Sequence, residues 1–403
     1  MTNTCRHCKS THALPFLDLG FAPPSNDYLR QAALAEPEAT YPLRLFVCQE
    51  CRLVQTEDFA SGEALFTDEY AYFSSTSTSW VAHAKTYCDG VTARFGLGHA
   101  SHVIEVASND GYLLRNFQEA GTPCLGVEPT HSTASAATAL GINVIEAFFG
   151  AAMAEDLPKS DLIIGNNVFA HVPDINDFSC GLATCLKPQG VVTLEFPHLL
   201  NLVTQNQFDT VYHEHFSYLS LLSAERILGA AGLRVFDVEQ LPTHGGSLRL
   251  YACLQAANHI ETSAVQGVRD LEAQNGMEHD AFYGGFQAKA ELVKDNFLRF
   301  LLDAKADGKS VAGYGAAAKG NTLLNFAGVR GDAVEFVCDA ADFKIGKYLP
   351  GSHIPILAPS ELREHQPDYL VIFPWNIAAE IIKSLDWLEN TRFVITVPEL
   401  KIL

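Results

Sequence analysis

The sequence contains no apolar run long enough to span a bilayer, and its first ten residues, MTNTCRHCKS, lack the hydrophobic core of a secretory signal. Basic residues are scarce. Against 47 Asp and Glu stand 27 Lys and Arg, a formal net charge of −20, and no dense Lys/Arg run interrupts the excess. A surface that negative repels a nucleic-acid backbone, so neither nucleic acid nor a membrane is an expected partner. Ten cysteines in 403 residues are too few for a disulfide framework, and the cytoplasmic setting expected from the missing signal would keep them reduced. The strict dinucleotide fingerprint, GxGxxG, and the metalloprotease spacing HExxH are both absent. What remains is a folded chain, 48% hydrophobic, too long for one compact domain and expected to form two or three. It is expected to act as a monomer.

Four of the cysteines are ordered. Cys5-Arg6-His7-Cys8 and Cys48-Gln49-Glu50-Cys51 make CxxC…CxxC, the spacing at which two knuckles grip one tetrahedral Zn²⁺. Four thiolates leave no position for water, so the metal is expected to be structural. The bland alternative is two unrelated pairs of buried cysteines. A thioredoxin-like redox site is disfavoured because no βαβ pattern surrounds either pair. His7 is a spare imidazole rather than a ligand. Between the pairs, the glycine and prolines of the stretch 17–28, LDLGFAPPSNDY, mark an ordered loop rather than a regular element.

The chain turns on residues 103–115, VIEVASNDGYLLR. Val103-Ile104-Glu105-Val106 reads as a buried strand, the turn holding Asn109, Asp110 and Gly111 follows, and a helix begins near Tyr112. A strand feeding a helix through such a turn sets backbone N–H groups at the carboxyl edge of a sheet. With a single glycine here and an acid, Glu105, inside the strand, the pattern suits S-adenosylmethionine (SAM), whose amino group is cationic and which has no pyrophosphate to cradle. The next strand, Cys124–Val127, ends in Glu128, placed to accept the ribose hydroxyls. The alternative is an ordinary βαβ unit with an incidental acid, but a carboxylate inside an apolar strand is costly without a partner. A helix from Trp80 to Arg94 precedes this unit. Strand and helix signals then alternate to Phe196, which argues a doubly wound sheet. Phe148-Phe149 after the third strand could lie against adenine or simply be core. Asn166, Asn167 and His171 follow the fourth strand, Asp161–Gly165, and should face the cofactor crevice.

The stretch Val211-Tyr212-His213-Glu214-His215-Phe216-Ser217-Tyr218 is hard to explain by packing. His213 and His215 could share a strand face and bind metal, but no third ligand is near. Proton transfer is favoured, with a His of near-neutral pKa beside a Glu that orients it. The motif Thr243-His244-Gly245-Gly246 allows close backbone approach to a ligand, or is a plain hairpin turn. After a polar helical stretch from about His259, including a helix over Ala288–Ala304, a second nucleotide-like unit appears at residues 310–322, SVAGYGAAAKGNT. Its GxG turn fits a Rossmann-like unit without the full dehydrogenase fingerprint, and Lys319 suggests an anionic ligand.

Taken in order, CxxC…CxxC, YAYFSS (70–75), VIEVASNDGYLL, GNNVFAHVPD (165–174), YHEHFSYLS (212–220), HGGSLR (244–249) and GYGAAAKGNT (313–322) resemble the SAM-dependent C-methyltransferases of deoxysugar biosynthesis, over nearly the whole chain. The resemblance implies an α/β protein of three parts: a zinc-binding lobe (1–69), a Rossmann-like SAM domain (70–257) and a C-terminal Rossmann-like domain (258–403). It implies a dTDP-linked 4-keto-hexose as substrate, held between them. It also implies roles for Tyr212, Glu214 and His215, for Asn167 and His171, and for one tyrosine of YAYFSS, of which Tyr72 is preferred.

The chemistry required is enolate formation. Carbon next to a ketone is acidified, so the site needs a base at that carbon and donors at the carbonyl oxygen. His215 is the expected base, with Glu214 beside it, and Tyr72, His171 or Tyr212 the expected donors. An O- or N-methyltransferase would need a base but no ketone. A NAD-dependent oxidoreductase lacks its fingerprint, and a non-enzymatic zinc-lobe protein would not bind SAM.

Overall fold

The computed structural model describes residues 4–57, 59, 73–76 and 78–403, apart from the side chains of residues 78 and 79. Its strands are β1 (Ala13–Ala22), β2 (Tyr41–Cys48), β3 (Val54–Thr56), β4 (Val103–Val106), β5 (Cys124–Val127), β6 (Val144–Ile145), β7 (Ser160–Asn166), β8 (Leu186–Pro197), β9 (Ser217–Tyr218), β10 (Leu233–Leu241), β11 (Ser247–Leu254), β12 (Val311–Tyr314), β13 (Val337–Cys338), β14 (Ile356–Leu357), β15 (Tyr369–Ile372), β16 (Arg392–Ile395) and β17 (Lys401–Ile402). Among the described residues they form three sheets, and no helix is long and apolar enough to cross a membrane.

The first sheet, ordered β1-β2-β3-β9, is antiparallel. Leu43, Leu45 and Val47 of β2 alternate inward, the period of a strand with one covered face. The expectation of a loop from Leu17 is corrected: Leu17–Ala22 is the second half of β1. Gly20, at φ +78°, sits in a register shift between Asp18 and Phe21, and the Asp18 carboxylate accepts its N–H at 2.8 Å. A glycine in a bulge bends a strand without ending it, so irregular backbone starts only at Pro23.

The second sheet runs β10-β11-β8-β7-β4-β5-β6, parallel except for β11, which is antiparallel to both its neighbours. Val103 and Ile104, like Ile163 and Ile164, point to opposite faces, and each face meets its own core. That is why these strands read as continuous apolar runs. Residues 187–190, expected as a turn, bulge out between the Ser160–Leu186 and Leu162–Val191 pairs. The third sheet, β14-β13-β12-β15-β16-β17, is parallel apart from β17.

The sheets are joined through shared cores. On the helix Phe286–Ala306, Phe286 stacks on Phe16 of the first sheet at 5.0 Å, and the same core reaches Val337 and Val371 of the third. The helix Ser263–Gln274 packs Val265 and Val268 into the second sheet's core. Its Glu272 accepts the Leu221 and Leu222 N–H groups at 2.6 and 2.9 Å, capping another helix, Leu221–Ala230.

The four cysteine sulfurs of the knuckles lie within 4.8 Å of one another. Cys5–Cys51 and Cys8–Cys48 are 3.4 and 3.5 Å apart, near the edge of about 3.8 Å that a tetrahedron with Zn–S bonds of about 2.3 Å requires. Hydrogen bonding from Cys51, reinforced by Gln55, outweighs burial and pulls the Cys5 thiol down to about 4. Four sulfurs converging at these distances fit zinc in a closed structural site. Because the ion would tie Cys5 to Cys51 across a long loop, its binding energy is folding energy. We therefore expect one zinc per chain by metal analysis and loss of soluble protein in Cys48→Ser. A metal-free preparation with full activity and unchanged melting would contradict this.

Candidate active site

The carboxyl edge of the second sheet is built from strained turns. After β4, Ala107, Asn109 and Gly111 have positive φ within five residues. At φ +78° Gly111 takes a backbone conformation that other residues adopt only with strain, and a Cβ there would also push the Ile142 side chain aside. Glu128, just past β5, ties this turn to the next: its carboxylate accepts the Asn109 N–H at 2.9 Å and the Thr130 N–H at 3.0 Å. Asn109 and Asp110 in turn accept the Ser74 and Ser75 N–H groups at 2.9 and 3.1 Å. The residues just after YAYF are thereby fastened to the turn. Tyr72 itself lies outside the described residues.

Beneath the turn, Glu105 Oε2 and Asp110 Oδ1 are buried without a hydrogen-bond partner among the described residues, as is Asn166 Oδ1. Burial, then the neighbouring Glu128 and Asp110 charges, pushes the Glu105 carboxyl far above its ordinary range. Orphaned acceptors beside an acid starved of positive charge suit a cationic amino group. The residues present therefore fit SAM. Asn167, at φ +53°, donates its N–H to the Glu195 carbonyl at 2.7 Å, which turns the chain back toward this edge. Of the two aromatics considered for adenine, Phe149 packs edge-on against Phe178 in the core at 5.4 Å, and Phe148 is exposed.

Across from this edge lies the turn Tyr212–His215, closed by the His215 N–H on the Tyr212 carbonyl at 3.2 Å. Consecutive residues in a turn diverge, and here they point to different lobes. His213 hydrogen-bonds the Tyr41 carbonyl of the first sheet at 3.2 Å, which separates it from His215 and removes the metal pair. Glu214 accepts Asn26 Nδ2 at 2.6 Å. The expectation that its carboxylate orients His215 is therefore corrected. The His215 ring packs instead among the rings of His171, Tyr212 and Tyr218. That ring sits edge-on to His171, with centroids 4.5 Å apart, and 4.6 Å from Tyr212.

Burial dominates the electrostatics. It lowers His171 to about 4 and His215 far below the ordinary histidine range, the latter helped by His171 and His244. Both imidazoles are neutral near pH 7. Burial also raises Glu214 to about 7 and Asp209 to about 6.

Several side chains at the site carried no assigned role in the sequence. His244 has a left-handed backbone, φ +53°, and its buried Nε2 has no partner among the described residues. Its loop is the β10–β11 hairpin connection, held where Thr243 Oγ1 donates to Glu195 at 3.0 Å. Lys319, singled out for an anion, is buried, donates to Asn376 Oδ1 at 2.7 Å and lies 4.3 Å from the Trp375 ring centre. Burial lowers it to about 8. Trp375 donates to Asp209 at 2.8 Å. His244 and Lys319 stood in noticed motifs. Asn26, Asp209 and Trp375 had no signal, because each matters through a partner more than 150 residues away in sequence.

Two measurements follow. Glu128→Ala removes an acceptor that braces two turns and should weaken SAM by about 1.5–3 kcal/mol, the scale of hydrogen bonds to charged groups; calorimetry with unchanged affinity would place the ribose elsewhere. For Glu214, the unfolded chain ionises near 4.5 while the folded one holds its proton to about 7. The folded state binds more protons in that window, so stability should fall as pH rises through it, and Asp209 acts in the same sense up to about 6. Melting followed from pH 4.5 to 8 should show a shallower decline in Glu214→Gln; an identical slope would mean that Glu214 is ionised in the folded protein.

Residues 5–66 match the family described as "Putative zinc binding domain", 80–238 "Methyltransferase domain" and 242–398 "C-methyltransferase C-terminal domain". The C-methyltransferase NovU of Streptomyces niveus is 35% identical over 99% of this chain and 96% of its own. Solved structures resemble part of the chain loosely. A SAM-dependent methyltransferase of Clostridium acetobutylicum matches 43% of it and 92% of its own chain at 12% identity and TM-score 0.35. Magnesium protoporphyrin IX methyltransferase of Synechocystis matches 43% and 80% at 17% and 0.33. With a four-cysteine knuckle pair, an acid-lined carboxyl edge and a relative aligned from end to end, the chain belongs to the SAM-dependent C-methyltransferases that carry an N-terminal zinc-binding domain.

Proposed function

We propose that this enzyme methylates carbon 3 of the sugar in a dTDP-linked 4-keto-deoxysugar, through an enolate that its own side chains generate. The observation that carries the reading is the packing of His215 against His171 and Tyr212 in a buried site. A neutral imidazole can accept a proton, and two further polar rings beside it can donate to an oxygen that is becoming negative. The resemblance to deoxysugar C-methyltransferases supplies the keto sugar. Buried Lys319, on the third sheet's side of the cleft, supports an anionic substrate such as a nucleotide diphosphate. The stretches 1–69, 70–257 and 258–403 act as zinc lobe, SAM domain and C-terminal domain of one catalytic unit.

Glu105, Asn109, Asp110, Gly111, Glu128, Asn166 and Asn167 would hold SAM, the unpartnered acceptors suiting its cationic amino group and the Glu128 acid its ribose hydroxyls. When bound, SAM supplies an electrophilic methyl group on a sulfonium, which the carbanion-like carbon takes. The rest of the work belongs to the chain. His215 removes the proton next to the ketone. Its low basicity in the dry site is offset as negative charge forms on the substrate beside it, since an imidazolium next to an enolate is an ion pair in low dielectric. His171 and Tyr212 donate to the carbonyl oxygen as it becomes an oxyanion, and Tyr72 is a further proposed donor. Glu214 holds the N-terminal loop through Asn26. Excluding water and fixing the reacting atoms near 3 Å supply much of the acceleration.

His215→Asn should lower methyl transfer by about 10²–10⁴-fold, the usual contribution of a general base, and leave SAM affinity intact. The direct reading is exchange of solvent deuterium into the keto sugar at the carbon next to the ketone, with S-adenosylhomocysteine bound. Exchange should be seen in the wild type and vanish in the variant. Wild-type exchange in His215→Asn would show that His215 only positions the sugar.

A further inference from the structure

Arg6 stands between Cys5 and Cys8 on the first zinc knuckle, yet its side chain points away from the sulfurs and is buried. Its Nη1 donates to the Pro173 carbonyl at 2.8 Å and its Nη2 to the Thr56 carbonyl at 3.2 Å, and the guanidinium carbon lies 5.3 Å from the centre of the Phe216 ring. Pro173 is two residues beyond His171, and Phe216 directly follows His215. One planar group thus touches the segments that carry both histidines.

The surroundings make the contact stiff. The Arg6 N–H donates to Gln55 Oε1 at 2.8 Å, and Gln55 Nε2 reaches Cys5 Sγ at 3.3 Å. Gln55 pairs with Ser217 and Val54 with Tyr218, while the Thr56 N–H donates to the Phe216 carbonyl at 3.2 Å. On the other side, Asn176 takes the His7 ring at 2.8 Å and donates to the His7 carbonyl at 2.8 Å. The knuckle is therefore clamped to the segment after His171 and to the strand after His215 together. A knuckle whose only task was to close its own loop would need neither.

We infer that Arg6 is a positioning residue for proton abstraction: its fork holds the His171 and His215 segments in register, and through it the zinc lobe acts on catalysis. The inference rests on the reading of His215 as the base. A lysine ammonium is a compact point charge without the planar, wide-set fork that reaches the Pro173 and Thr56 carbonyls together, so Arg6→Lys is not a conservative change here. A displacement of about 1 Å at the reacting centre costs up to about 10²-fold in rate.

The test uses the full-length zinc-loaded enzyme. Arg6→Gln and Arg6→Lys should keep one zinc per chain and the SAM affinity, leave KM for the sugar within about twofold, and lower both kcat and deuterium exchange about ten- to a hundredfold. In Arg6→Gly, added methylguanidinium should restore part of the exchange and methylammonium none, a readout that general loosening would not produce. Exchange present in the wild type, lost in His215→Asn and undiminished in Arg6→Gln would overturn the inference alone. Loss of zinc from both Arg6→Gln and Arg6→Lys would overturn it too, since Arg6 would then serve the knuckle itself. No exchange in the wild type would overturn the base reading and this inference with it.

Discussion

Burial of the short turn Tyr212–His215 is the constraint on which the site depends. The turn is pinned from three directions: strand pairing of Ser217 and Tyr218 with the zinc lobe, the Asn26–Glu214 contact, and the Thr322 hydroxyl donating to the Val211 carbonyl at 2.9 Å from the C-terminal part. Each contact removes water from one flank. With all three in place, a tripeptide of ionisable residues sits where its charged forms are disfavoured, and two histidines are held as neutral bases. If the turn were exposed, Glu214 would ionise at ordinary pH and water would solvate the imidazoles.

The same burial explains why so many acids here are held protonated or unpartnered. Glu105, Asp209 and Glu214 all have raised carboxyl pKa values, each with burial as the first cause. A protein selected for stability alone would have little reason to keep them, because uncompensated buried carboxyls cost free energy. Elsewhere the fold treats a buried acid differently. Glu195 meets Arg249 at 2.6 Å and His83 at 3.2 Å, and these partners outweigh its burial and pull it down to about 2. The contrast is between a carboxylate given two close cations, whose pKa falls, and carboxyls less fully compensated, by Trp375 and Lys319 for Asp209 and by Asn26 for Glu214, whose pKa stays raised.

The zinc lobe is architecturally part of the site. Its third strand supplies the edge to which β9 adds, and that edge aligns the residues after His215. A long chain whose Tyr212–His215 turn lies between lobes would gain a rigid frame from a metal-closed loop at little cost in core volume.

Much of this was legible in the sequence, for definite reasons. The CxxC pairs, the apolar runs at β4 and β7, and the Gly111 turn are local patterns in which neighbours along the chain dictate conformation, so both the knuckles and the doubly wound sheet could be read directly. The sequence singled out His171 and His215 as ionisable side chains in an otherwise apolar context, and folding brings their rings together. The direction each side chain takes was not legible. Glu214 is next to His215 in sequence and serves Asn26 in space, since successive residues of a turn diverge. Leu17–Ala22 continued as a strand because a partner strand absorbed Gly20 in a bulge. Arg6, Asn26, Asp209 and Trp375 acquire meaning only from groups that folding brings from distant parts of the chain. The amino-acid sequence by itself determined which residues could ionise, bind metal or line a sheet edge. Only the tertiary structure decided which of them lost their water and which partner each then faced, because desolvation and hydrogen-bond geometry are properties of packed neighbours and not of chain order.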